Sequence, residues 1–152
     1  MARPLIGITS YAEPGVRWGV WELPAALIPL AYVEAVERAG GRALLVPPSV
    51  EGVDETLGAL DGLLFSGGSD LDPGLYGAEA HPETNGIRRE RDRAELELLE
   101  AALVRDMPVL AVCRGSQVRS RTACRRGPGR SRCRPSIPAA LRPPVRSTAE
   151  TR

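Results

Sequence analysis

The chain contains no lysine: all 20 of its basic residues are arginine. Aromatic residues make up only 4% of it, and there is a single histidine, His81. No apolar run near the N-terminus is long enough for a signal peptide, and no later run suffices to span a bilayer. There are three cysteines, with neither paired spacing nor a zinc-type pattern. A disulfide framework and a metal site are therefore both disfavoured, and a reduced, cytoplasmic setting is expected. What is present is ample Leu, Ala and Val in 152 residues, enough for the core of one domain.

The formal net charge of +1 conceals a sharp division. Residues 1–118 carry ten arginines against eighteen acids, a net of −8, whereas residues 119–152 carry ten arginines and only Glu150, a net of +9. A basic tail of this kind commonly binds nucleic acid. The absence of lysine points elsewhere, to a coding sequence rich in G and C. Such DNA read out of frame yields Arg, Pro, Ala, Gly and Ser, which dominate residues 119–152. The segment holds only Ile137, Leu141 and Val145 as large aliphatics and shows no periodicity. It is expected to be a disordered tail that follows a frame slip or truncation near Val118.

Residues 1–118 alternate strand and helix patterns. Pro4–Ser10, by its apolar core, and Arg42–Val46, Asp61–Phe65 and Val109–Val112 read as strands. Pro24–Ala39, Glu51–Leu60 and Arg88–Arg105 read as helices, and Gly40-Gly41 caps the first. Tyr11–Trp21, with both tryptophans, and the Pro/Gly-rich stretch Leu71–Ile87 read as loops. This β-α-β-α-β-α-β order predicts an α/β fold, a parallel sheet with helices on both faces. Ligands of such sheets sit beyond the strands' C-terminal ends.

Two features meet at that edge. The strand ending at Val112 runs straight into Cys113-Arg114-Gly115, the pattern of a sharp turn that lifts a nucleophile above the sheet. A cysteine at a helix N-terminus feels the positive end of the helix dipole, which favours the thiolate. Taken alone, Cys113 is equally a small buried apolar residue. The second feature is Gly67-Gly68 after the third strand. It is either an ordinary tight turn or, opposite the elbow, a source of backbone N–H groups that form an oxyanion hole with Arg114.

The motifs together resemble the gamma-glutamyl-gamma-aminobutyrate hydrolase family, within the flavodoxin-like class I glutamine amidotransferase-like superfamily. The resemblance is carried by Arg3–Thr9, Ala31–Val36, Gly40-Gly41, Asp61–Leu64, Gly67–Asp70, Pro73, Tyr76-Gly77, Arg91-Asp92 and Cys113–Gln117. It covers residues 3–118. It implies that Cys113 attacks a gamma-glutamyl amide and forms a thioester that water then cleaves. It also implies that Gly68 and Arg114 supply oxyanion donors, and that Gln117 buttresses the elbow or meets substrate. No cofactor or metal is implied, and the partner is a small gamma-glutamyl molecule, neither nucleic acid nor membrane.

The family places a catalytic His and Glu downstream of the cysteine, and nothing after Val118 matches that part. His81 lies in a Pro-flanked loop and reads as a solvated side chain. As written, the chain is therefore expected to hold the nucleophile without its base, within an incomplete sheet. Two other functions are compatible with the sequence. One is a glutaminase subunit that delivers ammonia to a synthase. The other is a non-catalytic binding module with a basic tail, although that tail lacks the interleaved aromatics that nucleic-acid binding favours.

Overall fold

The computed structural model describes the backbone of residues 2–126 and the side chains of residues 2–120. The elements in chain order are β1 (Leu5–Thr9), β2 (Tyr11–Trp18), β3 (Trp21–Leu27), α1 (Leu30–Arg38), β4 (Arg42–Val46) and α2 (Val53–Gly58). There follow β5 (Gly62–Phe65), a short 3-10 turn (Pro73–Tyr76), α3 (Arg89–Val104), β6 (Val109–Ala111) and α4 (Arg114–Arg126).

Four strands form a parallel sheet in the order β4-β1-β5-β6. Ile8 pairs with both Leu45 and Leu64, and Leu64 with Leu110, so the apolar centres of all four strands are in line. The chain leaves β1 for β4 on one side and returns to β5 on the other. This places the reversal of strand order, where open α/β sheets take their ligands, between β1 and β5.

The alternation of side chains along β5 divides the core in two. Leu63 and Phe65 point to the face covered by α2, α3 and α4, where they pack with Leu57, Leu98, Leu99, Ala102 and Val118. Leu64 points to the face covered by α1 and packs with Ile8 and Val36. Leu99 and Ala102 are fully buried, so Leu99→Ala is expected to cost about 2–5 kcal/mol in chemical denaturation. Among the described residues β6 pairs only with β5, and Leu110 on it is 60% exposed.

The α/β architecture expected from the sequence is present, with helices on both faces, but two segments differ. Tyr11–Trp21 is not a loop. Together with residues up to Leu27 it forms an antiparallel hairpin that joins Tyr11 to Leu27 and Trp18 to Trp21. Pro14 lies within β2 although proline cannot donate to a ladder. The structure accommodates it in a register shift between Glu13 and Val16. Helix α1 accordingly starts at Leu30 rather than Pro24, with Pro29 just before its first turn. At the other end α4 continues to Arg126, past the boundary read at Val118. The remainder of the tail, including Cys133, lies outside the described residues, as does the side chain of Cys124.

Candidate active site

The sheet's C-terminal edge brings the expected residues together. Strand β6 ends at Ala111, and α4 begins three residues later, which forces a tight reversal at Cys113. Its φ is +52°, in the left-handed region that non-glycine residues rarely occupy. Strain of this kind is typical of a nucleophile elbow. Two turn bonds hold the reversal: the Gly115 N–H donates to Val112 O at 2.9 Å and the Ser116 N–H to Cys113 O at 2.9 Å. Cys113 is exposed and carries a free thiol.

Gly115 explains how the helix starts so close to the sheet. A Cβ there would lie 2.5 Å from Phe65 O and 2.7 Å from Phe65 Cβ. Gly115→Ala must push α4 off β5 and is expected to cost about 1–3 kcal/mol, read as a lowered Tm with slower alkylation of Cys113.

The Gly67-Gly68 loop lies directly against the elbow. A Cβ on Gly67 would sit 3.4 Å from Cys113 Cβ and 4.0 Å from its Sγ. The Gly67 N–H donates to Tyr32 Oη at 3.0 Å, so it already has a partner. Gly68 has φ +129°, and a Cβ there would lie 2.7 Å from Arg91 Nη1, so a side chain at this position would strain the backbone and displace the guanidinium. Among the described residues no hydrogen bond engages the amides of Gly68 and Arg114. Of the three donors considered from sequence, those two are unoccupied and Gly67 is not.

The loop is held on either side of Gly68, at Gly67 and Ser69, by an array of buried charges that sequence reasoning missed. Arg91, Asp92, Glu95 and Arg114 are at most 5% exposed. Arg91 Nε donates to Glu95 Oε1 at 2.7 Å, while its Nη2 donates to Ser66 Oγ at 2.8 Å and Gly67 O at 3.0 Å. Arg114 Nη2 donates to Asp92 Oδ1 at 2.6 Å, and its Nη1 donates to Ser69 O at 3.3 Å. Glu95 Oε2 lies 3.2 Å from Arg114 Nη2, a charge contact without hydrogen-bond geometry. Two guanidinium groups and two carboxylates leave no net charge, which is how such groups tolerate burial. Ser66 is tied in turn to β1, its Oγ donating to Thr9 O at 2.7 Å.

Gln117 fastens the same loop from α4. Its Oε1 accepts from the Leu71 N–H at 3.2 Å and its Nε2 donates to Asp70 Oδ1 at 3.4 Å. These contacts tie the first turn of α4 to the loop after β5. Tyr11 stacks on Arg91, whose guanidinium carbon lies 4.7 Å from the ring centroid. Burial pushes the Tyr11 phenol up, Tyr32 adds to this, and Arg91 partly opposes it. At neutral pH Tyr11 is thus a hydrogen-bond donor and not a base.

His81 is exposed, and its Nδ1 accepts from the Glu83 N–H at 3.2 Å. No contact joins it to Cys113. Among the described residues no group of His, Cys, Asp or Glu is arranged to hold a metal ion. None of the described helices is long and apolar enough to cross a membrane.

A strained cysteine elbow facing a glycine loop at the edge of a parallel sheet is matched by comparison with known families. Residues 4–121 fit the family model described as Peptidase C26. The chain belongs to the Peptidase C26 family. A Mycobacterium tuberculosis relative named "Putative glutamine amidotransferase Rv2859c" is 48% identical over 120 residues, which is 77% of this chain and 39% of that protein. The gamma-glutamyl-gamma-aminobutyrate hydrolase of Escherichia coli O157:H7 is 36% identical over 93 residues, 57% of this chain and 35% of the enzyme. The corresponding hydrolase PuuD of Escherichia coli K12 is 33% identical over the same length. This C26 chain thus spans between about a third and two fifths of these relatives' lengths.

Proposed function

We propose that this C26 chain carries the acyl-transfer half of a gamma-glutamyl amide hydrolase. The thiolate of Cys113 attacks the γ-carbonyl, and the resulting oxyanion is held by the amides of Gly68 and Arg114. One such donor is typically worth about 3 kcal/mol in the transition state. Collapse expels the amine, which takes up a proton, and leaves a thioester on Cys113. Water then cleaves the thioester, giving the γ-carboxylate and restoring the thiol. Gln117 and the buried charges act by fixing the glycine loop, not by touching substrate.

The observation that carries this proposal is the left-handed Cys113 elbow, with its Sγ 4.0 Å from where a Gly67 side chain would begin. The last two steps need an acid for the amine and a base for the water. Within these 152 residues the only histidine is His81, which is exposed and bonded to its own loop. Without that acid and base, the 152-residue chain is expected to reach the acyl-enzyme only from amides whose leaving group departs without a protein acid, taking its proton from solvent, and then to stall at the thioester.

The nucleophile assignment is tested by alkylation. With limiting iodoacetamide near pH 6.5, peptide mapping is expected to find Cys113 labelled ahead of Cys124 and Cys133. Faster labelling of either of the latter two would contradict the assignment.

A further inference from the structure

Beside the oxyanion loop lies a cleft of about 420 Å³, a volume suited to a small-molecule site. It is lined by Tyr11, Ala12, Glu13, Pro48, Gly68, Ser69 and Ile87–Arg91. Tyr11, Pro48 and Gly68 follow β1, β4 and β5, so the cleft opens where the strand order reverses. It shares Gly68 with the site of attack, which makes it the place for whatever extends from the reacting carbonyl.

The charges lining it are not equivalent. Arg91 is buried and used by Glu95, Ser66 and Gly67. Arg89 is paired with Asp72 at 3.1 Å. Glu13 and Arg88 meet across the cleft at 3.3 Å, from positions 75 residues apart, and remain 37% and 50% exposed. Glu13 comes from the base of the hairpin, immediately before its register shift, and Arg88 from the residue preceding α3. An irregularity of this kind re-aims the side chains beside it, and such features recur next to active sites.

We infer that Glu13 and Arg88 form a recognition site for the α-amino and α-carboxylate groups of a γ-linked amino acid. This rests on the gamma-glutamyl reading of Cys113 and supplies its specificity. An α-amino acid carries one charge of each sign on a single carbon, matching one guanidinium and one carboxylate placed side by side. Arg88 takes the substrate carboxylate, for which the guanidinium fork is suited, and Glu13 takes the ammonium. An exposed ion pair contributes little by itself, so exchanging it for two substrate contacts costs little. Tyr11 and Ile87 leave an apolar wall for the methylenes between the two ends.

The test needs no turnover. Cys113 of the 152-residue chain is alkylated with iodoacetamide in the presence of L-glutamine, of glutaramate, which lacks the amine, or of 4-aminobutanamide, which lacks the carboxylate. L-glutamine is expected to protect at roughly tenfold lower concentration than either analogue. Glu13→Gln should erase the preference over glutaramate alone, and Arg88→Gln the preference over 4-aminobutanamide alone. Glu90→Gln, a charge change on the same wall, should leave the ranking intact. Retention of the wild-type ranking in both variants, or its loss in E90Q in place of E13Q, would overturn the assignment. If L-glutamine gives no protection while Cys113 stays the most reactive thiol, this inference falls and the nucleophile stands. If Cys113 is not preferentially alkylated, both fall.

Discussion

Asp92→Asn is expected to lower the stability of the chain by about 3–5 kcal/mol, a large share of the roughly 5–15 kcal/mol of a typical domain. The side chain keeps its size but loses its charge, which leaves two buried guanidinium groups facing only Glu95. Asp92 Oδ1 accepts from Arg114 Nη2 at 2.6 Å and its Oδ2 from the Asp72 N–H at 3.0 Å. The same change therefore loosens the elbow, the glycine loop and the start of the 3-10 turn together. Urea denaturation would measure it, and a loss below about 1 kcal/mol would mean that water reaches the cluster and screens it. Alkylation of Cys113 should slow in parallel, because Arg114 anchors the first turn of α4 against Ser69.

Turnover offers the second large effect. A version of this protein with a histidine–carboxylate pair at the thioester is expected to hydrolyse gamma-glutamyl amides at least ~10²–10⁴-fold faster than the 152-residue chain, the usual worth of one positioned proton transfer. Tyr11, held protonated at neutral pH by burial and by Tyr32, cannot substitute as the base. The comparison is a gamma-glutamyl amide assay on this chain and on a chimera in which the residues after Val118 are replaced by the corresponding segment of the Escherichia coli K12 hydrolase PuuD. Equal rates would return His81 to the mechanism.

The parallel sheet was legible because its strands are short apolar runs between glycines and prolines, and α3 because its apolar residues recur at helical spacing. The elbow was legible only in context: an apolar run that ends on Cys-Arg-Gly leaves a buried cysteine equally open, and the Gly67-Gly68 loop and the accompanying family motifs favoured a turn at Cys113, whose φ is +52°. The hairpin was not. Pro14 and Gly15 interrupt its alternation, and its pairing depends on a bulge that sequence pattern does not specify. The charge cluster was half visible: Arg91 and Glu95 are four residues apart on one helix, the spacing of an ordinary surface pair. Nothing local reveals that both are buried, or that Arg114, 19 positions after Glu95, completes the array. Burial of charge is set by what packs over it, and here that is the loop after β5 and the start of α4. The Glu13–Arg88 pair was illegible for a related reason, being made across 75 residues by a hairpin that the pattern hid.

The most direct test of Cys113 as the acyl-transfer nucleophile uses L-γ-glutamyl-p-nitroanilide, whose leaving group demands little from an acid. Mixed with the 152-residue chain, it is expected to release nitroaniline in a burst stoichiometric with protein and then stall. Intact mass and peptide mapping should find a glutamyl thioester on Cys113, absent in Cys113→Ser. No burst, an adduct on Cys124 or Cys133, or a burst unchanged in C113S would contradict it.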